Sequence, residues 1–264
     1  MNFDSIFFSA TVAVAAGLIG CFAVMRRMAL AGDALSHVAL PGVGLALALH
    51  VHPVFGAVAM LAFGALLVWQ IEDRSRIATE TVVGVIFSVA LAIGSMLTSG
   101  ENLIEALFGS SGALSVGEIV FGLVGAAVVI AFVAMRKNAL VVALVSPDIA
   151  RTAGVDIRRL NLIYLQMFAL TVALGLRFLG VLLMGSLIII PAASAKNLSK
   201  NLNQMLILAA VFAAAATAAG SSLAVWLHEE SGPLIVTVST IGFLLSVVFC
   251  TSNDLSNAMK RWRE

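Results

Sequence analysis

The run SIFFSATVAVAAGLIGCFAVMRR, residues 5–27, decides the fold class. From Ser5 to Met25 it carries no charge, and Arg26 and Arg27 close it. A helix needs about 20 apolar residues to cross the hydrocarbon core of a bilayer. A barrel strand would alternate apolar and polar residues over about ten positions. This run is continuous and rich in Ala, Val and Gly, so it reads as a membrane-spanning helix. Asp4 is the sole charge before it, which leaves no basic n-region, and the run is too long for the apolar core of a signal peptide.

The same pattern recurs along the chain. Apolar segments stand at 34–50, 53–71, 81–99, 117–135, 159–175, 178–195, 203–227 and 234–251, making about nine crossings with the first. The second is short, with Asp33 at its start. Only Gly175-Leu176-Arg177-Phe178 separates the sixth from the seventh, so these are two crossings or one long broken helix. Composition agrees. Of 264 residues, 61% are hydrophobic and 11% charged, with mean hydropathy +1.08. Soluble domains are nearer half apolar and a quarter charged. The class is an all-α polytopic membrane protein in contact with the lipid bilayer. A net charge of +1 without a long basic run excludes a nucleic-acid partner. Cys21 and Cys250 lie in apolar runs, so no disulfide framework is expected. The longest polar stretch, 136–159, is too small to fold alone, and residues 1–264 read as a single transmembrane domain.

Lys and Arg orient the chain. With the N-terminus outside, Arg26, Arg27, Arg74, Arg76, Arg136, Lys137, Arg151, Arg158, Arg159, Lys196, Lys200, Lys260, Arg261 and Arg263 fall on the cytoplasmic side. Arg177 is the exception, at a break where it can snorkel to the outer surface. The outer loops are short or acidic, with Glu101, Glu105, Glu118, Glu229 and Glu230.

The chain has no G-x-x-x-x-G-K-[ST] phosphate loop, no H-E-x-x-H and no cysteine pair at metal-site spacing. A pump of this kind draws its work from another chain. A secondary transporter needs ionisable groups inside the membrane, and the candidates are Asp33, His37 and Arg177.

Asp33 and His37 stand four apart, which on a helix stacks them on one face. One carboxylate and one imidazole suit Mn²⁺, Zn²⁺ or Fe²⁺. Two ligands do not close a site, but a two-fold partner would bring a second pair. A transport site must also release its ion. The plainer reading pairs Asp33 with Arg26 or Arg27 and leaves His37 as a core histidine. Pro41-Gly42 then breaks or bends the helix, as in helices that line transporter sites. His50 and His52, before Pro53, could form an outer metal access point or an ordinary polar loop. Met25 and Met28 are one turn apart and read as packing rather than as Cu⁺ ligands.

The run RRMALAGDALSHVALPG, residues 26–42, resembles the membrane permease of the ABC-type zinc/manganese/iron importers. Three further stretches resemble that family in order. They are Ser146–Val155 (with its acidic position shifted), Gly180–Ala195 and Ser231–Val236. The resemblance implies a type II ABC importer-like permease in a prokaryotic plasma membrane, with a cytoplasmic C-terminus. It implies Asp33 and His37 as intramembrane metal ligands and a transported divalent metal, with no permanently bound cofactor. It further implies three partners: a separate ATP-binding subunit, an extracytoplasmic metal-binding protein and a second copy of the chain. By resemblance to cobalamin and siderophore importers, Pro191, Ala192, Ala193, Ser194, Ala195, Lys196 and Asn197 are the expected ATPase contact, as a short helix after Pro191 capped by Ser194 or Asn197, with 147–160 beside it. The alternatives are a secondary metal transporter, which needs more intramembrane carboxylates, and a membrane scaffold, which has no use for a buried Asp/His pair.

Overall fold

In the computed structural model the described residues are 3–75, 77–97 and 115–261, with side chains described except at 3–6, 177–183 and 252–261. They form helices throughout: α1 (Phe3–Met25), α2 (Ala31–His37), α3 (Ala39–Ala48), α4 (Pro53–Arg74), α5 (Thr79–Leu97), α6 (Val116–Val145), α7 (Pro147–Thr152), α8 (Ile157–Leu198), α9 (Leu202–Leu227) and α10 (Ser231–Arg261). Glu101 and Glu105 lie outside the described residues, as do the side chains of Arg177, Lys260 and Arg261 and all of Arg263.

Eight helical segments among the described residues are long and apolar enough to cross a membrane. Nine were expected from the sequence. The difference lies in α8, an element of 42 residues, of which the count takes Ile157–Leu176 alone; the expected seventh segment is its second limb. That element is not straight. Tyr164 Oη donates to the carbonyl of Ile19 at 3.5 Å, while the carbonyl of Ile188 lies directly against the next residue, Gly20. In a straight helix Tyr164 and Ile188 would stand about 36 Å apart. The Met184 side chain likewise lies against Gly175. The limbs 157–176 and 184–198 therefore fold back on each other, and α8 starts and finishes at the same end of the bundle.

That end holds at least three of the basic residues among the described ones. Arg26 meets Asn161, Arg158 meets Asp73, and Lys137 meets Asn203 at 2.7 Å. α1 stops there in a left-handed turn, with Arg27 at φ 60. Met28 N–H bonds Ala23 O at 2.9 Å and Arg27 N–H bonds Val24 O at 3.2 Å, the paired bonds that end a helix and satisfy its last carbonyls.

The centre is α1 against both limbs of α8, with Ile19, Phe22, Leu35, Tyr164, Phe168, Met184 and Ile188 fully buried. Small residues permit the close approaches that membrane helices rely on. Gly42 of α3 and Gly56 of α4 pack backbone to backbone. The outside of the bundle is apolar too: Phe55, Phe63, Val85, Val124, Leu244 and Phe249 are exposed, as lipid contact requires.

Candidate functional site

α2 and α3 form one interrupted span of 18 residues. The interruption falls at Val38, whose N–H reaches back to Leu35 O at 3.0 Å, and not at Pro41-Gly42 as expected. The cause is still Pro41. Proline offers no N–H to the carbonyl four residues earlier, and its ring crowds that carbonyl. That residue is His37, so α2 ends on it.

α2 buries Ala31, Gly32, Leu35 and Ser36. Gly32 sits 3.5 Å from Phe168 and 3.6 Å from Gly185 Cα, measured from where a Cβ would stand. Asp33 is exposed, although its backbone lies close against Gly185 of α8. Ser36 Oγ donates to the Asp33 carbonyl at 2.7 Å. His37 is half-buried, edge-on to Phe87 of α5 with ring centroids 5.3 Å apart. Its Nδ1 is buried and has no hydrogen-bond partner. Neither Arg26 nor Arg27 forms an ion pair with Asp33 among those observed, so the plainer reading of the pair is not what the structure displays. No group of three or more His, Cys, Asp or Glu able to hold a metal occurs among the described residues. Asp33 and His37 are the two potential donors that α2 carries.

His50 and His52 are both exposed, in the turn between α3 and α4. His50 takes φ 56 and terminates α3, and His52 precedes Pro53 at the start of α4. The ten residues of α3 span about 15 Å between His37 and the His50/His52 turn, so these residues do not form one site with Asp33 and His37. His52 Nε2 lies 4.0 Å from Glu118 Oε1. Glu118 is fixed by a capping box, receiving Ser115 N–H at 2.9 Å and bonding Ser115 Oγ through its own N–H at 3.2 Å. Sequence reasoning missed this proximity, because 66 residues separate the pair and nothing in their local patterns links them.

The stretch Pro191–Asn197 is not a separate helix. Pro191 stays inside α8, and Ser194 Oγ bonds Ile190 O at 2.8 Å instead of capping anything. Pro191, Ala192, Ser194 and Ala195 are buried, Ala193 is half-buried, Lys196 is exposed, and Asn197 donates to Ser246 Oγ at 3.1 Å. The short capped helix at this end of the bundle is α7 instead. Ser146 Oγ accepts from Ile149 N–H, Pro147 opens the helix, and Ile149 is 62% exposed.

An all-helical bundle with apolar flanks and one interrupted span is the architecture of a polytopic membrane protein. Residues 2–250 match the ABC 3 transport family, and the chain belongs to that family. It is 30% identical over 257 residues to the manganese transport system membrane protein MntC of Listeria monocytogenes, covering 96% of this chain and 92% of that one. It is 30% identical over 235 residues to the high-affinity zinc uptake system membrane protein ZnuB of Haemophilus influenzae, covering 87% and 90%. Its fold is similar to that of a chain in the structure of PsaBC from Streptococcus pneumoniae in complex with Fab, with TM-score 0.80 and 26% identity over 92% of this chain and 89% of that one.

Proposed function

We propose that the chain is the permease subunit of an ATP-driven importer of Mn²⁺, Zn²⁺ or Fe²⁺, with two copies lining the ion path and hydrolysis on a separate ATPase chain. The observation that carries this is the exposed Asp33 on an interrupted span. A carboxylate facing hydrocarbon costs about 2.5–3.5 kcal/mol on insertion scales. Facing an identical chain across a two-fold axis, it meets a second Asp33 and His37, and two half-shells make four ligands. The unpartnered Nδ1 of His37 fits the same reading, since a buried polar atom without a bond calls for an explanation. Oxygen and imidazole donors suit the metals for which the manganese and zinc relatives are named.

The basic end is cytoplasmic in this reading and the His50/His52 end is outside. An extracytoplasmic metal-binding protein delivers the ion there, where His50, His52 and Glu118 offer a first landing and the acidic loops attract cations. In a background without Cys21 and Cys250, a cysteine at Glu229 should react with an impermeant thiol reagent from outside, and one at Lys200 should not. The reverse labelling would reject this orientation.

The ATPase contact falls on α7, with Lys196 of the 191–197 stretch as a second point. α7 is short, exposed and joined to α8 through Gly154 and the Asp156 cap, whose Oδ1 accepts from Arg159 N–H at 3.1 Å. Ile149→Glu is expected to lower metal uptake about tenfold at an unchanged permease level, as loss of a buried interface anchor would. A cysteine at Ile149 should cross-link to the ATPase, and one at the buried Ala195 should not.

The whole reading is tested by placing the permease and its ATPase in proteoliposomes. Metal accumulation should require ATP and should persist when ion gradients are collapsed. Uptake that follows a proton or sodium gradient without ATP would make this a secondary transporter.

A further inference from the structure

At the basic end, three helices meet on one side-chain amide. Asn161 lies in the second turn of α8. Its Oδ1 accepts from Arg26 Nη1 at the end of α1, and its Nδ2 donates to Glu72 Oε2 in the last turn of α4 at 3.1 Å. An amide has one accepting and one donating edge, so it bridges a cation and an anion without carrying charge. The Arg26 guanidinium also lies 4.3 Å over the Tyr164 ring, a cation–π contact. One turn earlier, Arg158 pairs with Asp73 at 2.9 Å, and its carbonyl accepts from Trp69 Nε1 at 3.1 Å. Arg26, Glu72, Asp73, Arg158 and Asn161 line a cavity of about 1010 Å³ that also reaches Arg151 of α7 and Glu80 of α5.

The amide stands between two places that must communicate. On one side, α8 begins four residues after Ala153, where α7 stops. On the other, Arg26 precedes Asp33 by seven residues, and the left-handed turn at Arg27 holds the link short and fixed. A push on α7 reaches Asn161 through less than two helical turns of α8. From Asn161 it reaches the turn that leads into α2.

We propose that Asn161 is a positioning residue of the transport cycle. It carries displacement of α7 to the Arg26 turn, and so to the α2 segment that bears Asp33, while its bond to Glu72 ties that turn to α4. This rests on the reading of the chain as an ATP-driven permease. A residue that only stabilised the fold would lower assembly and transport together. A transmitting residue changes the number of ions moved per ATP hydrolysed.

The test measures that ratio in proteoliposomes holding the complete complex. Asn161→Asp still accepts from Arg26 but sets a like charge against Glu72, and Asn161→Leu loses both bonds. Each is expected to lower the ratio about tenfold, within the range of residues that modulate coupling between sites. Asn161→Gln keeps both edges and should retain at least about half of the wild-type ratio on the same scale. Arg26→Glu and Glu72→Arg, each of which breaks one of the two amide bonds, should each lower the ratio. A wild-type ratio in Asn161→Leu would overturn the proposal. So would uptake and hydrolysis falling in step in every variant. Failure of the permease reading shows differently, as no ATP-dependent uptake by the unsubstituted complex.

Discussion

Replacing Asp33 or His37 with alanine is expected to reduce ATP-driven metal uptake about 100-fold or more. Loss of an outer-shell partner of a metal ligand already costs about 10–100-fold, and these two are proposed as direct ligands. The site also has little redundancy, since no third ligand stands beside them among the described residues. Removing one side chain from each of two copies would leave two of four donors. Neither change should disturb folding strongly. Asp33 is exposed and its side chain forms none of the observed salt bridges. His37 gives up one edge contact to Phe87. Asp33→Glu keeps the carboxylate on a longer arm and should retain part of the uptake. The measurement is initial uptake rate against the amount of assembled complex. Near-normal rates in both alanine variants would remove the pair from the ion path.

Gly185→Val is expected to impair uptake nearly as much, through the backbone. A Cβ at Gly185 would stand 2.7 Å from both Cα and N of Asp33. The obstructing atoms are backbone, so no side-chain rotation relieves the clash, and α2 must move away from the second limb of α8. Misplacing a reactive group by about 1 Å can cost about 100-fold in rate, and overpacking typically costs 1–3 kcal/mol of stability. The expected result is a loss of uptake between about tenfold and 100-fold in assembled complex, with a lowered melting temperature. Gly84→Val is the matched control, because nothing lies within 4 Å of a Cβ there. Equal behaviour of the two variants would mean that the approach of α8 to Asp33 does not set the site.

Much of this was legible in sequence because bilayer physics writes long signals. An apolar run closed by Arg26 and Arg27 announces a span and its end. Asp33 and His37 stand out in sequence because ionisable groups are costly in such a setting and their spacing puts them on one helical face; the structure places both on α2. Among the described residues, Arg26, Lys137 and Arg158 do meet partners at one end of the bundle. What was hidden depends on contacts between distant segments. The reversal within α8 was marked by Gly175-Leu176-Arg177-Phe178, but whether it made two crossings or one broken helix depended on contacts with α1. The break at Val38 required knowing that Pro41 acts on the carbonyl of His37. Arg26 and Arg158 read as orientation markers, and nothing local to Asn161, Glu72 or Asp73 indicates what they bond. The stretch at Pro191–Asn197 looked like a capped turn because proline usually ends a helix, but here buried neighbours carry the helix through it.

The central claim is that two copies of this chain hold one metal ion between their Asp33 and His37 side chains. The most direct measurement is the metal content of the purified, nucleotide-free complex after equilibration with Mn²⁺, and separately with Zn²⁺. The account predicts one ion per two chains, lost when Asp33→Ala and His37→Ala are combined. One ion per chain, or an unchanged metal content in the doubly substituted complex, would contradict it.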